Sequence, residues 1–247
     1  MIESEAPRRS DAALRVWHAV LDVDPPLVQQ LAATLSTDEH ERAARFYFER
    51  DRRRYLVGRG FLRSVLGSVL SVEPSRIGFR YGDRGKPFLA PEFDRHLFFN
   101  LAHSNEHVMV AVAEGGEVGI DIEAIRPLAD PLAIASRYFS ATERAALQGL
   151  TPAECLTAFF QCWTRKEAYI KALGEGLSHP LDGFDVPVGG TTPERLEICA
   201  GGAVLAQWSL HDLSALPQYA AAVVVHGQPE RISVEPAFTH ARSAPTS

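Results

Sequence analysis

Lysine is almost missing from this 247-residue sequence. Of its 25 basic residues only Lys86, Lys166 and Lys171 are lysines, and the rest are arginine. Cysteine is scarce as well. Three residues (Cys155, Cys162 and Cys199) are an odd number for a chain this long, which argues against a disulfide framework and for reduced thiols in a cytoplasmic protein. No apolar run approaches the roughly 18–20 residues of a membrane span; the longest, His107–Ala113 and Tyr219–Val225, are strand-sized. Met1–Arg15 contains acids, arginines and proline but no apolar core, so no secretory signal is expected. Positive charge is not in excess either: 25 basic against 31 acidic residues leave a net charge of −6, which speaks against a dedicated nucleic-acid binder. Nor is there a Walker loop, a G-x-G-x-x-G turn, an H-E-x-x-H helix or a G-x-S-x-G elbow.

What is present is ordinary globular usage, 46% hydrophobic and 23% charged. That excludes disorder, collagen-like repeats and coiled coils, and the length suits one large domain or two small ones. Residues 1–12 and 227–247 look like loose ends. Between them one plan runs twice. A strand at Val16–Val23 precedes a capping box at Ser36-Thr37-Asp38-Glu39, a helix over Glu41–Phe48 and a longer one from Asp51 to Leu66 or Leu70. A strand at Glu117–Ile122 precedes boxes at Ser140–Glu143 and Thr151–Glu154, the latter opening a helix that ends at Leu173-Gly174. Ser36–Phe46 and Ser140–Leu147 are weakly alike, through chance or through duplication. Further strands are expected at Ile77–Tyr81, Leu97–Ala102, Val108–Ala113, Phe184–Val188, Val204–His211 and Tyr219–Val225, with turns that favour antiparallel meanders. If the repeat is real, a ligand site belongs in the cleft between two α+β lobes.

Three features carry chemistry. Along Val118-Gly119-Ile120-Asp121-Ile122-Glu123 the apolar side chains point one way and Asp121 and Glu123 the other. Paired like charges raise each other's pKa. Either a divalent cation relieves them or they form the solvated face of a half-buried strand. On the helix Ala153–Leu173, at roughly 100° per residue, Glu167 projects about 20° from the centre of an apolar stripe that includes Phe160 and Trp163. A carboxylate so placed needs a partner or a metal. Lys171 lies one turn on and supplies either an internal pair or a ligand contact, while Arg165 projects to the opposite, solvent side. On the helix Asp51–Leu70, Arg54 falls among apolar residues, which calls for a phosphate or a fixed carboxylate. Arg50, Arg52, Arg53 and Arg63 are candidates for a basic surface that attracts an acidic partner. Loop groups at strand ends, His103 and Lys86 among them, are further ligand candidates.

Taken in order, RRRYLVGRGFLR (52–63), GKPF (85–88), FNLAHS (99–104), VGIDIE (118–123) and FFQCWTRKEAYIKALGEGL (159–177) resemble the 4′-phosphopantetheinyl transferase superfamily, in its long two-lobed type. The resemblance implies an α+β fold of two pseudo-symmetric lobes, each a small, mainly antiparallel sheet packed on helices, with the active site at their interface. It places an N-terminal lobe at 13–114, a C-terminal lobe at 115–226 and a flexible tail at 227–247. It implies coenzyme A as substrate, and Mg2+ (with Mn2+ left open) on Asp121, Glu123 and Glu167. Glu167 would be the base, with Lys171 and Asp121 completing the catalytic set. Arg54, Arg84, Gly85, Lys86, Ala102, His103 and Ser104, together with Asp121 and Lys171, would hold coenzyme A. Two positions depart from the family pattern. Ala102 stands where many members have serine, and Glu39 stands where some have a base, leaving Arg42 alone to grip phosphate there.

The expected activity is transfer of the phosphopantetheine arm to a serine of an apo acyl or peptidyl carrier protein. The chain would act as a monomer without nucleic-acid or membrane partners. A non-catalytic lobe pair that binds coenzyme A and a metal-dependent phosphohydrolase are the rival readings.

Overall fold

Two helices of 22 residues, one in each half of the chain, organise the molecule. The computed structural model describes residues 13–93, 96–190, 195–214 and 216–236. The first half runs through β1 (Ala13–Val20), α1 (Pro25–Ala32), α2 (Thr37–Ala43) and the long α3 (Glu49–Leu70). A small hairpin of β2 (Phe79–Tyr81) and β3 (Pro87–Leu89) follows, then a larger one of β4 (Leu97–Ser104) and β5 (His107–Glu114). The second half begins with β6 (Val118–Ala124), α4 (Pro131–Tyr138), α5 (Ala141–Gln148) and the long α6 (Pro152–Leu173). It continues through β7 (Cys199–Ala200), β8 (Ala203–Val204), β9 (Trp208–Asp212) and β10 (Tyr219–His226), and β11 (Arg231–Pro236) follows.

Beside the two-stranded pairs β2-β3 and β7-β8, two larger sheets result, one ordered β11-β1-β5-β4 and the other β6-β10-β9. Every pairing within them is antiparallel except β1 with β11. The fold is therefore α+β, two small sheets each backed by a long helix. Val108, Val110 and Val112 of β5 face α3, while Met109, Ala111 and Ala113 face the other sheet. In β10, Ala220, Ala222 and Val224 face α6, while Ala221, Val223 and Val225 meet the first sheet. These central strands are buried on both faces, which is why they read as unbroken apolar runs. The layers stack as helix, sheet, sheet, helix. Among the described residues, no helix is long and apolar enough to cross a membrane.

The repeat extends to buried charges. Ser36 and Ser140 open α2 and α5, and the glutamate three residues on is almost completely buried in each case. Glu39 receives Arg63 Nε at 2.7 Å, and Arg63 also donates to the carbonyls of Pro74 and Ile77. Glu143 lies 2.8 Å from Lys166 Nζ, which donates to the carbonyls of Leu181 and Phe184. Arg63 and Lys166 occupy the same position in their two helices, and each ties its helix to both ends of a short 3-10 turn.

Several sequence expectations need correction. Arg63 is fully buried and cannot belong to a basic surface; of that group, Arg50 and Arg52 are exposed, and Arg53 donates to the Val23 carbonyl. Arg165 is buried, not solvated: it pairs with Asp212 at 2.6 Å and donates to the carbonyls of Pro187, Gly189 and Gly190. Those carbonyls serve a guanidinium instead of a neighbouring strand, so the strand expected at Phe184–Val188 reduces to one bridge, Asp185 with Cys199. The helix expected over Glu41–Phe48 stops at Ala43, and Tyr47 and Phe48 stand exposed before α3. The tail expected from 227 instead contributes β11 to the first sheet; residues 1–12 and 237–247 lie outside the described residues.

Gly119 sets the spacing between α6 and β6. A Cβ there would lie 2.1 Å from the Ala168 carbonyl oxygen and 2.3 Å from the Ala172 nitrogen, both backbone atoms of the helix. Gly119→Ala should therefore cost about 1–3 kcal/mol of folding free energy through overpacking, read by urea denaturation. Gly58→Ala in α3, where the nearest atom is an ordinary 3.5 Å contact, should cost nothing and serves as the control.

Candidate active site

Alternation along β6 sends Val118, Ile120 and Ile122 into the core between the sheets and leaves Gly119, Asp121 and Glu123 facing α6. Because Gly119 lets the helix settle closely, Asp121 is only 4% exposed. One of its carboxylate oxygens accepts a 2.6 Å hydrogen bond from Lys171 Nζ, while Oδ2 is buried without a partner among the described residues. Burial pushes the Asp121 carboxyl up to about 7, Lys171 opposes the shift, and Glu123 and Glu167 add to it. The two acids are thus not the solvated face of a strand. Glu167, one turn before Lys171 on α6, is half-buried, and burial and Glu123 raise its carboxyl against the pull of Lys171. The structure brings Asp121, Glu123, Glu167 and Lys171 into one electrostatic cluster.

The end of β4 completes the cluster. Ser104 Oγ donates to Glu123 at 2.9 Å and accepts from the Ala124 amide at 3.1 Å. Four residues earlier, buried Asn100 accepts from the Ile120 amide at 2.9 Å. Two side chains thus join the sheets where no backbone ladder does. His103 projects from the opposite face of β4 into a cleft of about 540 Å3, lined also by Arg42, Arg54, Tyr55, Arg59 and Gly85. Partial burial and the Lys171 ammonium hold its imidazole below the usual range, while Glu123 resists and Arg54 adds to the effect. His103 therefore stands between the arginine-lined cleft and the acidic cluster, within reach of both fields.

The remaining sequence candidates fall as follows. Arg54 has a fixed carboxylate: its guanidinium grips Asp22 at 2.8 and 2.5 Å. Ala102 turns its methyl into the inter-sheet core, so a serine hydroxyl there would not face the cleft. Arg84 is exposed in the β2–β3 turn. Lys86 does not line the cleft but reaches the end of α6. Asn100 and Gly119 were passed over as functional positions. Both lie inside the quoted segments, and counting residues by twos along each strand would have found them. Nothing in the sequence marks Asp22 as the partner of Arg54.

Among the described residues, no three His, Cys, Asp or Glu side chains are gathered closely enough to hold an ion alone. The donors nevertheless suit Mg2+, which takes one or two carboxylates and completes its shell with substrate phosphate and water. The unpartnered oxygen of Asp121 would be free to take such an ion, with Glu123 and Glu167 beside it.

Residues 117–224 match the model of the 4′-phosphopantetheinyl transferase superfamily, and residues 24–115 match that of a 4′-phosphopantetheinyl transferase N-terminal region. The chain is 40% identical over 228 residues to the 4′-phosphopantetheinyl transferase HetI of Nostoc sp. (strain PCC 7120), covering 92% of both chains. The chain belongs to this superfamily. Its relatives include the 4′-phosphopantetheinyl transferase Sfp of Bacillus subtilis (strain 168), 36% identical over 66% of this chain and 73% of Sfp. Among solved structures, Thermotoga maritima holo-[acyl-carrier-protein] synthase aligns with a TM-score of 0.35 at 21% identity, over 45% of this chain and 63% of that one. The protein is thus a phosphopantetheinyl transferase of the long, Sfp-like type.

The elevated Asp121 carboxyl makes the stability of this transferase depend on pH. A carboxyl titrating near 7 when folded, against 3.8 in the unfolded chain, binds its proton more tightly in the folded state. Its contribution therefore weakens stability progressively as pH rises from 3.8 to about 7, and no further above that. In the absence of ligand and metal, Asp121→Asn should melt above wild type at pH 8, and the gap should narrow to less than half by pH 5. Differential scanning calorimetry across that range checks this; an equal gap at both ends would show that Asp121 ionises at its ordinary value.

Proposed function

We propose that the protein transfers the 4′-phosphopantetheine arm of coenzyme A to a serine hydroxyl of an apo acyl or peptidyl carrier protein, releasing 3′,5′-ADP. The observation that supports this reading is the buried Asp121, with one oxygen on Lys171 and the other open, between two further acids and an arginine-lined cleft. Coenzyme A has a matching layout, with a diphosphate at the reacting bond and a 3′-phosphate at the nucleotide end. Arg42, Arg54 and His103 would receive the nucleotide end, with the backbone at Gly85, Ala102 and Ser104 beside them.

Glu167 is suited to take the serine proton, because burial holds its carboxyl above the ordinary range, nearer to neutral pH. The serine oxygen then bonds to the phosphorus that carries the pantetheine arm. The bond from that phosphorus to the bridging oxygen breaks, and its electron pair leaves with 3′,5′-ADP. Lys171, steadied by Asp121, presents an ammonium to the charge that develops there. Mg2+, held by Asp121, Glu123 and Glu167, would neutralise the diphosphate when bound. Since phosphoryl transfer rests mainly on positioning and electrostatics, no enzyme nucleophile is required.

Incubation with coenzyme A, Mg2+ and apo carrier domains of fatty-acid, polyketide and peptide synthesis, followed by intact-mass measurement, should show carriers gaining one phosphopantetheine. No gain across the panel would overturn the proposal, and release of nucleotide without any carrier would mark a hydrolase. Chelation should abolish turnover, with Mg2+ or Mn2+ restoring it. Glu167→Gln should lower turnover by roughly 100-fold or more, as loss of a general base does, while leaving affinity for coenzyme A within a fewfold. A turnover within a fewfold of wild type would remove Glu167 from that role.

A further inference from the structure

The loop between β2 and β3 turns through Gly85, at φ 77°, and sends Lys86 across to the second half of the molecule. Lys86 Nζ donates to the carbonyls of Lys171 at 2.8 Å and Ala172 at 3.2 Å, and to Glu117 Oε2 at 3.0 Å. An ammonium has three hydrogens to donate, and these acceptors, with the Val118 carbonyl at 3.5 Å beside them, use all of them. The side chain is 10% exposed, and it stands outside the cleft although its neighbours Gly85 and Pro87 line the cleft wall.

The acceptors explain why Lys86 stays there. The last carbonyls of a helix lack partners inside it and carry the negative end of its dipole, so a cation there is favourable. Gly174, in the left-handed conformation at φ 75°, already returns its amide to the carbonyls of Ile170 and Lys171. Lys86 supplies the rest. Drawing it away towards a phosphate would take the ammonium from the Ala172 carbonyl, leave that of Lys171 with the longer Gly174 amide bond alone, and leave Glu117 facing the negative end of α6. The residue whose carbonyl it holds is Lys171, whose own ammonium sits on Asp121.

We propose that Lys86 is a positioning residue: it fastens the last turn of α6, which carries Lys171, to the loop that forms the cleft wall, and it does not contact the nucleotide. Cleft wall and reacting helix then move as one piece, so a nucleotide seated against the wall finds Lys171 already placed. The kinetic part of this inference rests on the transfer reaction proposed above; the structural part does not.

Lys86→Met, which keeps the length of the stem and removes the donors, separates the two roles. Fastening predicts that kcat falls tenfold or more per nucleotide-binding site while KM for coenzyme A and the calorimetric Kd for 3′,5′-ADP stay within threefold. It also predicts at least tenfold faster amide hydrogen exchange at residues 170–175, with exchange in α3 unchanged. A tenfold rise in KM and Kd with kcat and exchange unchanged would make Lys86 a phosphate contact and overturn the proposal. Lys86→Arg retains the charge but not a geometry that meets three acceptors, so it should show the same pattern, more weakly. If wild type transfers nothing to any carrier, the reaction proposal fails by itself, and exchange together with 3′,5′-ADP affinity still decides the role of Lys86.

Discussion

One missing Cβ brings α6 so close to β6 that the carboxylate of Asp121 is sealed between helix and strand. With no room for a Cβ between Gly119 and the helix backbone, Asp121 keeps Lys171 on one oxygen and nothing among the described residues on the other. Burial without full compensation is costly for a charge. That cost is visible as a carboxyl held near 7. A cation, bound alone or together with a phosphate, would relieve it. The same close approach orients Glu167, which shares the helix face with Lys171, and makes the last turn of α6 the part of the molecule whose position matters most.

The rest of the fold keeps that helix from rotating. From Ala158 onward α6 is buried nearly all round, and its two adjacent cations, Arg165 and Lys166, are each tied to a buried acid and to loop carbonyls. Such buried pairs contribute little net stability compared with apolar packing, but removing one partner strands a charge and is strongly destabilising. They therefore specify one rotation of the helix and penalise the others. The first half uses the same device, with Arg59 and Arg63 on Glu39. There, burial pushes the carboxyl up, but the two guanidiniums and the Ser36 amide outweigh it and hold the carboxyl below its ordinary range.

Much of this was legible in the sequence because periodicity reports burial. The alternation in VGIDIE placed Asp121 and Glu123 on one face, the stripe of α6 placed Glu167 and Lys171 beside them, and three capping boxes fixed helix starts. Helices α1 and α4 went unread although both begin with the same signal, an aspartate followed by proline at the first helical position. Arg165 and Arg63 were misjudged for a different reason. A helical projection assumes one wet side, and both long helices are covered on that side by later loops whose path no local pattern encodes. Likewise, the contact of Lys86 with the end of α6, 85 residues later in the chain, leaves no trace near Gly85-Lys86-Pro87.

The internal duplication is unequal where it counts. Counting along the two long helices from their matched buried cations, the positions of Glu167 and Lys171 in α6 correspond to Ser64 and Ser68 in α3. A symmetric ancestor assembled from two such halves would have offered two equivalent reaction centres. In this chain one copy retains the acids and the ammonium while the other contributes arginines to the cleft. In the transfer proposed above, this asymmetry would leave one reaction centre for each polypeptide, with the first half given over to holding the substrate.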